Sequence, residues 1–136
     1  MSRIDVVDDE TQTGSSMTIL IVEDEALISA MVSDVLIDHG YDVQVVSNAD
    51  DAMRYMTSGL PLDVLFTDIN IGGDIDGTVL AQHARALRPD LPVVFASGRL
   101  QLLEHVRAIP RAACLPKPYS PAQVCATVEG LFATRH

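Results

Sequence analysis

Lysine is nearly missing from this sequence. Nine of the 136 residues are basic, and only Lys117 is a lysine. Against those nine stand 19 acidic residues, giving a formal charge of −10. A chain so short of positive charge is not expected to bind nucleic acid or an anionic membrane. Long hydrophobic runs are missing too, since none approaches the ~20 residues of a membrane span. The first residues lack the basic start and apolar block of a secretory signal, so a cytoplasmic protein is expected. Cysteine occurs twice, at Cys114 and Cys125, each in apolar surroundings. Two buried thiols in a reducing compartment are expected rather than a disulfide. No pairing of cysteine with histidine along the sequence offers a zinc site.

What remains is enough for one domain with its own core: 48% of the residues are hydrophobic. The charge is divided along the chain. Residues 17–84 hold twelve acids and one base, Arg54, whereas residues 85–136 hold three acids and seven bases. Residues 1–16 are polar, rich in acids and end in Thr, Gly and two Ser, which reads as a flexible tail. Val6 and Val7 followed by Asp8, Asp9 and Glu10 imitate the later run IVEDE, but Gly14 and two serines follow them where a helix would be needed. The domain is therefore expected over residues 17–136.

Five short apolar runs alternate with helical patterns. The runs are residues 18–22, 43–46, 64–68, 92–96 and 112–115. Those at 18–22 and 64–66 have no polar gap, as strands covered on both faces require. The first helix is expected over 26–39, stopped by Gly40, with Leu27, Met31, Val35 and Ile28, Val32, Leu36 at helical spacing. Asn48 suits the N-cap of a second helix carrying Ala52, Met53 and Met56. The third follows Gly77 with Leu80, Ala84 and Leu87, and the fourth covers about 100–108 with Leu103 and Val106. Ser120, Pro121 and Gln123 open the last as a capping box, ahead of a stripe of Val124, Val128 and Leu131. Strands alternating with helices predict an α/β fold, a doubly wound five-stranded parallel sheet.

In such a sheet, sites form where the strands end. The first strand delivers Glu23 and Asp24, the third Asp68, the fourth Ser97 and the fifth Lys117. Like charges about 4 Å apart repel by roughly 4 kcal/mol at an effective dielectric near 20, so a cation belongs among these carboxylates. An all-oxygen donor set suits Mg²⁺. Asp74 and Asp76 read as loop and cap residues. His39, His83 and His105 read as helix residues without a relay partner, and Tyr119 as a residue packed on the sheet edge.

The motifs IVEDE, LFTD, FASG and LPKPY, in this order over residues 17 to about 134, closely resemble the receiver domain of two-component response regulators. The resemblance implies the flavodoxin-like (βα)5 order and a phosphoacceptor rather than an enzyme. It implies Asp68 as the acceptor, Asp24 and Asp68 as Mg²⁺ ligands, Glu23 acting through a metal-bound water, and the Asn70 backbone carbonyl as a further ligand. Ser97 is the implied switch hydroxyl, and Lys117 pairs with the acceptor and then the phosphoryl group. The implied partners are a sensor histidine kinase or a histidine phosphotransfer protein. A separate output protein, or a second copy, would meet the face of the fourth helix, fifth strand and fifth helix. That helix carries Leu100, Leu102, Leu103, Val106 and Ile109, more apolar residues than one stripe needs.

Three departures accompany the resemblance. Cys114 stands where the family usually has a switch aromatic. The loop from Asp68 to Gly77 is about one residue longer than common, and no output domain is expected after the last helix. The alternatives are a flavodoxin-like module binding a small anion and a degenerate receiver used only for interaction.

Overall fold

Aliphatic runs without a polar gap become the centre of the sheet. In the computed structural model, which describes residues 16–71 and 75–133, the strands are β1 (Thr18–Val22), β2 (Asp42–Val46), β3 (Val64–Asp68), β4 (Val93–Ser97) and β5 (Ala112–Pro116). Between and after them run α1 (Ala26–Asp38), α2 (Ala49–Thr57), α3 (Gly77–Leu87), α4 (Leu100–Val106) and α5 (Pro121–Ala133). All pairings are parallel and the order is β2-β1-β3-β4-β5, the flavodoxin-like arrangement expected. Every residue of β1, β3 and β4 is buried, while the edge strands β2 and β5 are partly open. The tail expected over 1–16 lies, but for Ser16, outside the described residues, as does Asp74.

Alternation along each strand divides the core in two. Ile19, Ile21, Val64, Phe66 and Val94 pack on one face against Val32 and Leu36 of α1 and Val124 and Val128 of α5. Leu20, Leu65, Val93 and Phe95 pack on the other against Met56 of α2, Leu80 and Ala84 of α3, and Leu103 and Val106 of α4. Caps fix the helix entries. Asn48 Oδ1 accepts the Asp51 N–H at 2.8 Å, and Asp76 Oδ1 accepts those of Thr78 and Val79 at 2.9 and 3.0 Å. Ser120 and Gln123 bond reciprocally as the capping box requires, at 2.7 and 3.2 Å. Arginines of the basic half fasten loops at the opposite end of the sheet. Arg85 donates to the carbonyls of Leu91, Pro110 and Arg111, and Arg88 to those of Met56 and Leu60.

Three details differ from the sequence reading. The buried face of α1 is Ser29, Val32 and Leu36, leaving Leu27 88% exposed. This helix is apolar nearly all round, so spacing alone does not choose a face. Ser29 can turn inward because its hydroxyl donates to the Ala26 carbonyl at 3.1 Å. Leu87, the last residue of α3, lies beyond the core and is 50% exposed. The apolar surplus of α4 is also smaller than its composition suggests: Leu102 and Ile109 pack partly against the core, and Leu100 alone among them is exposed.

The two leucines of α1 provide a direct test. Leu36→Ala is expected to cost about 2–5 kcal/mol in denaturant unfolding, whereas Leu27→Ala should shift stability by no more than about 0.5 kcal/mol. Equal losses would place the wrong face of α1 against the sheet.

Candidate functional site

Because the strands are parallel and in register, the residues that follow them converge. The Ala96 carbonyl accepts the Ile69 N–H at 3.0 Å and the Ser97 carbonyl accepts the Lys117 N–H at 2.9 Å, so the ladder continues into the loops. Lys117, after β5, reaches back across the sheet. Its Nζ donates to Asp68 Oδ2 at 3.0 Å and to Glu23 Oε1 at 3.2 Å. The other Glu23 oxygen accepts the Glu25 N–H at 3.0 Å. Both carboxylates are buried, and the lysine side chain is 20% exposed.

Asp24 completes the group from the solvent side. One carboxylate oxygen each from Glu23, Asp24 and Asp68 can be found within 4.8 Å of one another. Burial raises the pKa of both Glu23 and Asp68. The Glu25 backbone bond opposes the rise at Glu23, and the Lys117 hydrogen bond opposes it at Asp68. Burial would lower the ammonium of Lys117, but the hydrogen bond and charge of Asp68, with Glu23 behind it, outweigh burial and raise it. One cation thus faces three acids. The donors are all oxygen, two buried and one open to water, a set that fits Mg²⁺ with part of its hydration retained.

The end of β3 is held from below by α3. Gly77 donates its N–H to the Ile69 carbonyl at 2.7 Å, and a Cβ on Gly77 would overlap the Asp68 carbonyl oxygen. Here glycine is required by close backbone approach. Asp76 is the cap of α3, as its spacing predicts. Asn70 is exposed on the loop past Asp68, and residues 72–74 of the loop expected to be long lie outside the described residues.

Ser97 is buried at the end of β4, and its Oγ accepts the Arg99 N–H at 3.0 Å. Arg99 is the N-cap residue of α4 and makes no side-chain cap bond. Cys114 is half-buried beneath the same helix, its Sγ 3.6 Å from the Leu103 carbonyl, and burial raises its thiol pKa. Tyr119 packs edge-on to Phe66 of the central strand β3, at 6.3 Å between ring centres, rather than on a sheet edge. Its buried hydroxyl has no hydrogen-bond partner, and burial, followed by the Glu23 charge, pushes its pKa up to about 12. Sequence spacing gives no sign of this. His39 caps α1 rather than lying inside it, and its ring meets Cys125, a pairing hidden by 86 residues of separation.

The family model for the response regulator receiver domain matches residues 19–129. Among curated proteins, the nitrogen assimilation regulatory protein NtrX of Azorhizobium caulinodans is 33% identical over 119 residues, 85% of this chain and 26% of that protein. The transcriptional regulator NtrC of Azospirillum brasilense is 30% identical over 117 residues. This chain spans about a quarter of the length of these two relatives. Among solved structures, a response regulator receiver protein from Sinorhizobium medicae superposes with a TM-score of 0.82 at 32% identity, covering 90% of this chain and 98% of that one. The receiver domain of the hybrid histidine kinase CckA gives 0.71 at 28% identity, with 84% and 97% covered.

The raised carboxylate pKa of Asp68 has a stability consequence. An acid that binds its proton more tightly when folded stabilises the fold at low pH, and it costs stability as pH rises through the unfolded value toward the folded one. In metal-free buffer, Asp68→Asn should therefore melt at a higher temperature than the parent at pH 7. The gain should shrink as pH falls below the ordinary carboxylate range, where the parent's Asp68 is itself protonated. Thermal melts across pH check this, and a lower melting point for the variant at pH 7 would show that the Lys117 bond outweighs burial.

Proposed function

The chain belongs to the response regulator receiver family, and on that premise we propose that it is a phosphoacceptor that takes a phosphoryl group from a phosphohistidine protein onto Asp68. The observation that supports this reading most is the Lys117 ammonium bridging Asp68 and Glu23 at 3.0 and 3.2 Å, beside Asp24, at the ends of three strands. A carboxylate oxygen of Asp68 attacks phosphorus in line, the P–N bond of the donor breaks, and imidazole leaves with the bond pair. The product is an acyl phosphate. Bound Mg²⁺, held by Asp24, Asp68 and the Asn70 carbonyl with Glu23 acting through a water, would neutralise charge on the phosphoryl oxygens. Lys117 follows the charge from the carboxylate to the phosphoryl group, and Ser97 supplies a hydroxyl donor.

The donor is a sensor kinase or a phosphotransfer protein. The output is a protein that binds the α4–β5–α5 face, where Leu100 stands exposed beside Arg99 and near Arg107, and a second copy is the other occupant this face suits. The degenerate, unphosphorylated receiver remains the second reading, favoured by Cys114. The first test is intact mass after incubation with acetyl phosphate and Mg²⁺. The parent should gain one phosphoryl group and Asp68→Asn none. Equal labelling of both would remove Asp68 from its role, and no labelling of a folded parent would favour the second reading.

Switching is proposed to run through the entry of α4. When Ser97 Oγ turns to donate to a phosphoryl oxygen, the Arg99 N–H loses its acceptor and the first turn of α4 is released. Cys114 carries no ring to follow the hydroxyl, and a thiol behaves as a small hydrophobe. Ser97→Ala should label with phosphate yet lose the phosphorylation-dependent change in partner binding or self-association. Cys114→Ala should lose stability but keep that change. A well-folded Cys114→Ala protein that labels without switching would refute this route.

A further inference from the structure

The end of α1 and the first turns of α5 bring two metal-ligating side chains together, on the flank of the domain and separate from the acidic cluster. Cys125 Sγ lies 3.3 Å from His39 Nδ1. Both line a surface groove of about 430 Å³ whose other walls are Val35, Pro121, Ala122, Ala126 and Glu129. Glu129 is one helical turn beyond Cys125 and so falls on the same face of α5. We infer that Cys125, His39 and Glu129 form a binding site for a borderline-soft divalent cation, Zn²⁺ by its ligand chemistry, which ties the C-terminus of α1 to α5.

The separation of sulfur and nitrogen suits a shared ion, toward which the imidazole would turn Nδ1 from the Val35 carbonyl it now faces at 2.9 Å. With Zn–S about 2.3 Å and Zn–N about 2.0 Å at a tetrahedral angle, sulfur and nitrogen sit about 3.5 Å apart. Thiolate, imidazole and carboxylate together favour zinc over magnesium, whose donors are oxygens. The exposed Glu129 side chain can supply the third ligand, leaving a fourth position for water.

The protons balance. His39 Nδ1 is 2.9 Å from the Val35 carbonyl, which can only accept, so Nδ1 carries the ring hydrogen in the metal-free protein. On binding, that hydrogen moves to the other ring nitrogen, on an exposed side chain, and the Cys125 thiol proton leaves to solvent. The Val35 carbonyl is not orphaned, since it also accepts the His39 backbone N–H at 3.2 Å. In the metal-free protein, burial and then the Glu129 charge keep the Cys125 thiol protonated. A dication between thiolate and carboxylate converts that repulsion into attraction.

The test uses the full chain with millimolar Mg²⁺ present, so that the acidic cluster is occupied. Co²⁺ is titrated as a spectroscopic stand-in for zinc. The parent should take up one equivalent with a sulfur-to-cobalt charge-transfer band and visible bands of tetrahedral intensity, both displaced by Zn²⁺. Cys114→Ala should behave as the parent, and Cys125→Ala should lose the charge-transfer band. His39→Gln, a change at an exposed residue that should leave the fold intact, should weaken binding at least tenfold. It should also abolish the rise in melting temperature that Zn²⁺ gives the parent. Absence of a charge-transfer band in the parent, its survival in Cys125→Ala, or unchanged affinity in His39→Gln would overturn the site.

Discussion

A single ammonium group holds the business end of this domain together. Lys117 is the one lysine in the chain, and it is placed where two buried carboxylates would otherwise face each other across adjacent strands. Leaving a buried charge without its partner costs several kcal/mol, whereas a pair with good geometry roughly offsets its own desolvation. The position of Lys117 is in turn a product of the sheet. β5 must pair with β4 so that the Lys117 N–H reaches the Ser97 carbonyl, and β4 with β3 so that Asp68 lies one strand further in. Parallel pairing with all strands ending together is the only part of the fold this arrangement needs, and the two hydrophobic layers supply it.

The site is nonetheless left short of positive charge. Asp24 joins the pair from outside, and burial holds Glu23 and Asp68 above their ordinary range despite Lys117. Such a cluster favours any process that brings in a cation or spreads negative charge over donors already aimed at it. The backbone beneath is correspondingly stiff. Gly77 lets α3 start against the carbonyl of Asp68, so the end of β3 cannot sink toward the helix, and Asp76 caps that helix at the same place. The position of the Asp68 main chain is thus set by close backbone packing.

Much of this could be read from residue order because each signal was local. The unbroken runs of β1 and β3, the Asn48 and Asp76 caps and the Ser120–Gln123 box each depend on neighbours within a few positions, and the structure carries them out. The strand ends were legible for the same reason: a carboxylate, hydroxyl or lysine directly after an apolar run must lie at one edge of a parallel sheet. The buried face of α1 was not legible, because Leu27 and Ile28 both head apolar rows and only the packing of α5 and the sheet chooses between them. Nor was the meeting of His39 with Cys125, which depends on how far α5 runs beside α1. The unpartnered Tyr119 hydroxyl was hidden likewise, since its burial follows from the ring packing on Phe66.

The entry of α4 is where the local and the long-range meet. This helix is short and has no side-chain cap, and the Ser97 hydroxyl accepts the N–H of its N-cap residue, Arg99. On the proposed route, the Ser97 side chain would have to rotate and carry its oxygen away from that N–H, since a hydroxyl that only donates its hydrogen can still accept. Two such states would differ in a specific contact, which is the condition for any ligand to shift an equilibrium between them. An aromatic ring beneath α4 would add a second, bulkier coupling, but Cys114 fills that place with a thiol bonded to the Leu103 carbonyl. Under that proposal, with the ring absent, the strength of coupling would rest on the helix's own first turn, at whose start Leu100 is exposed.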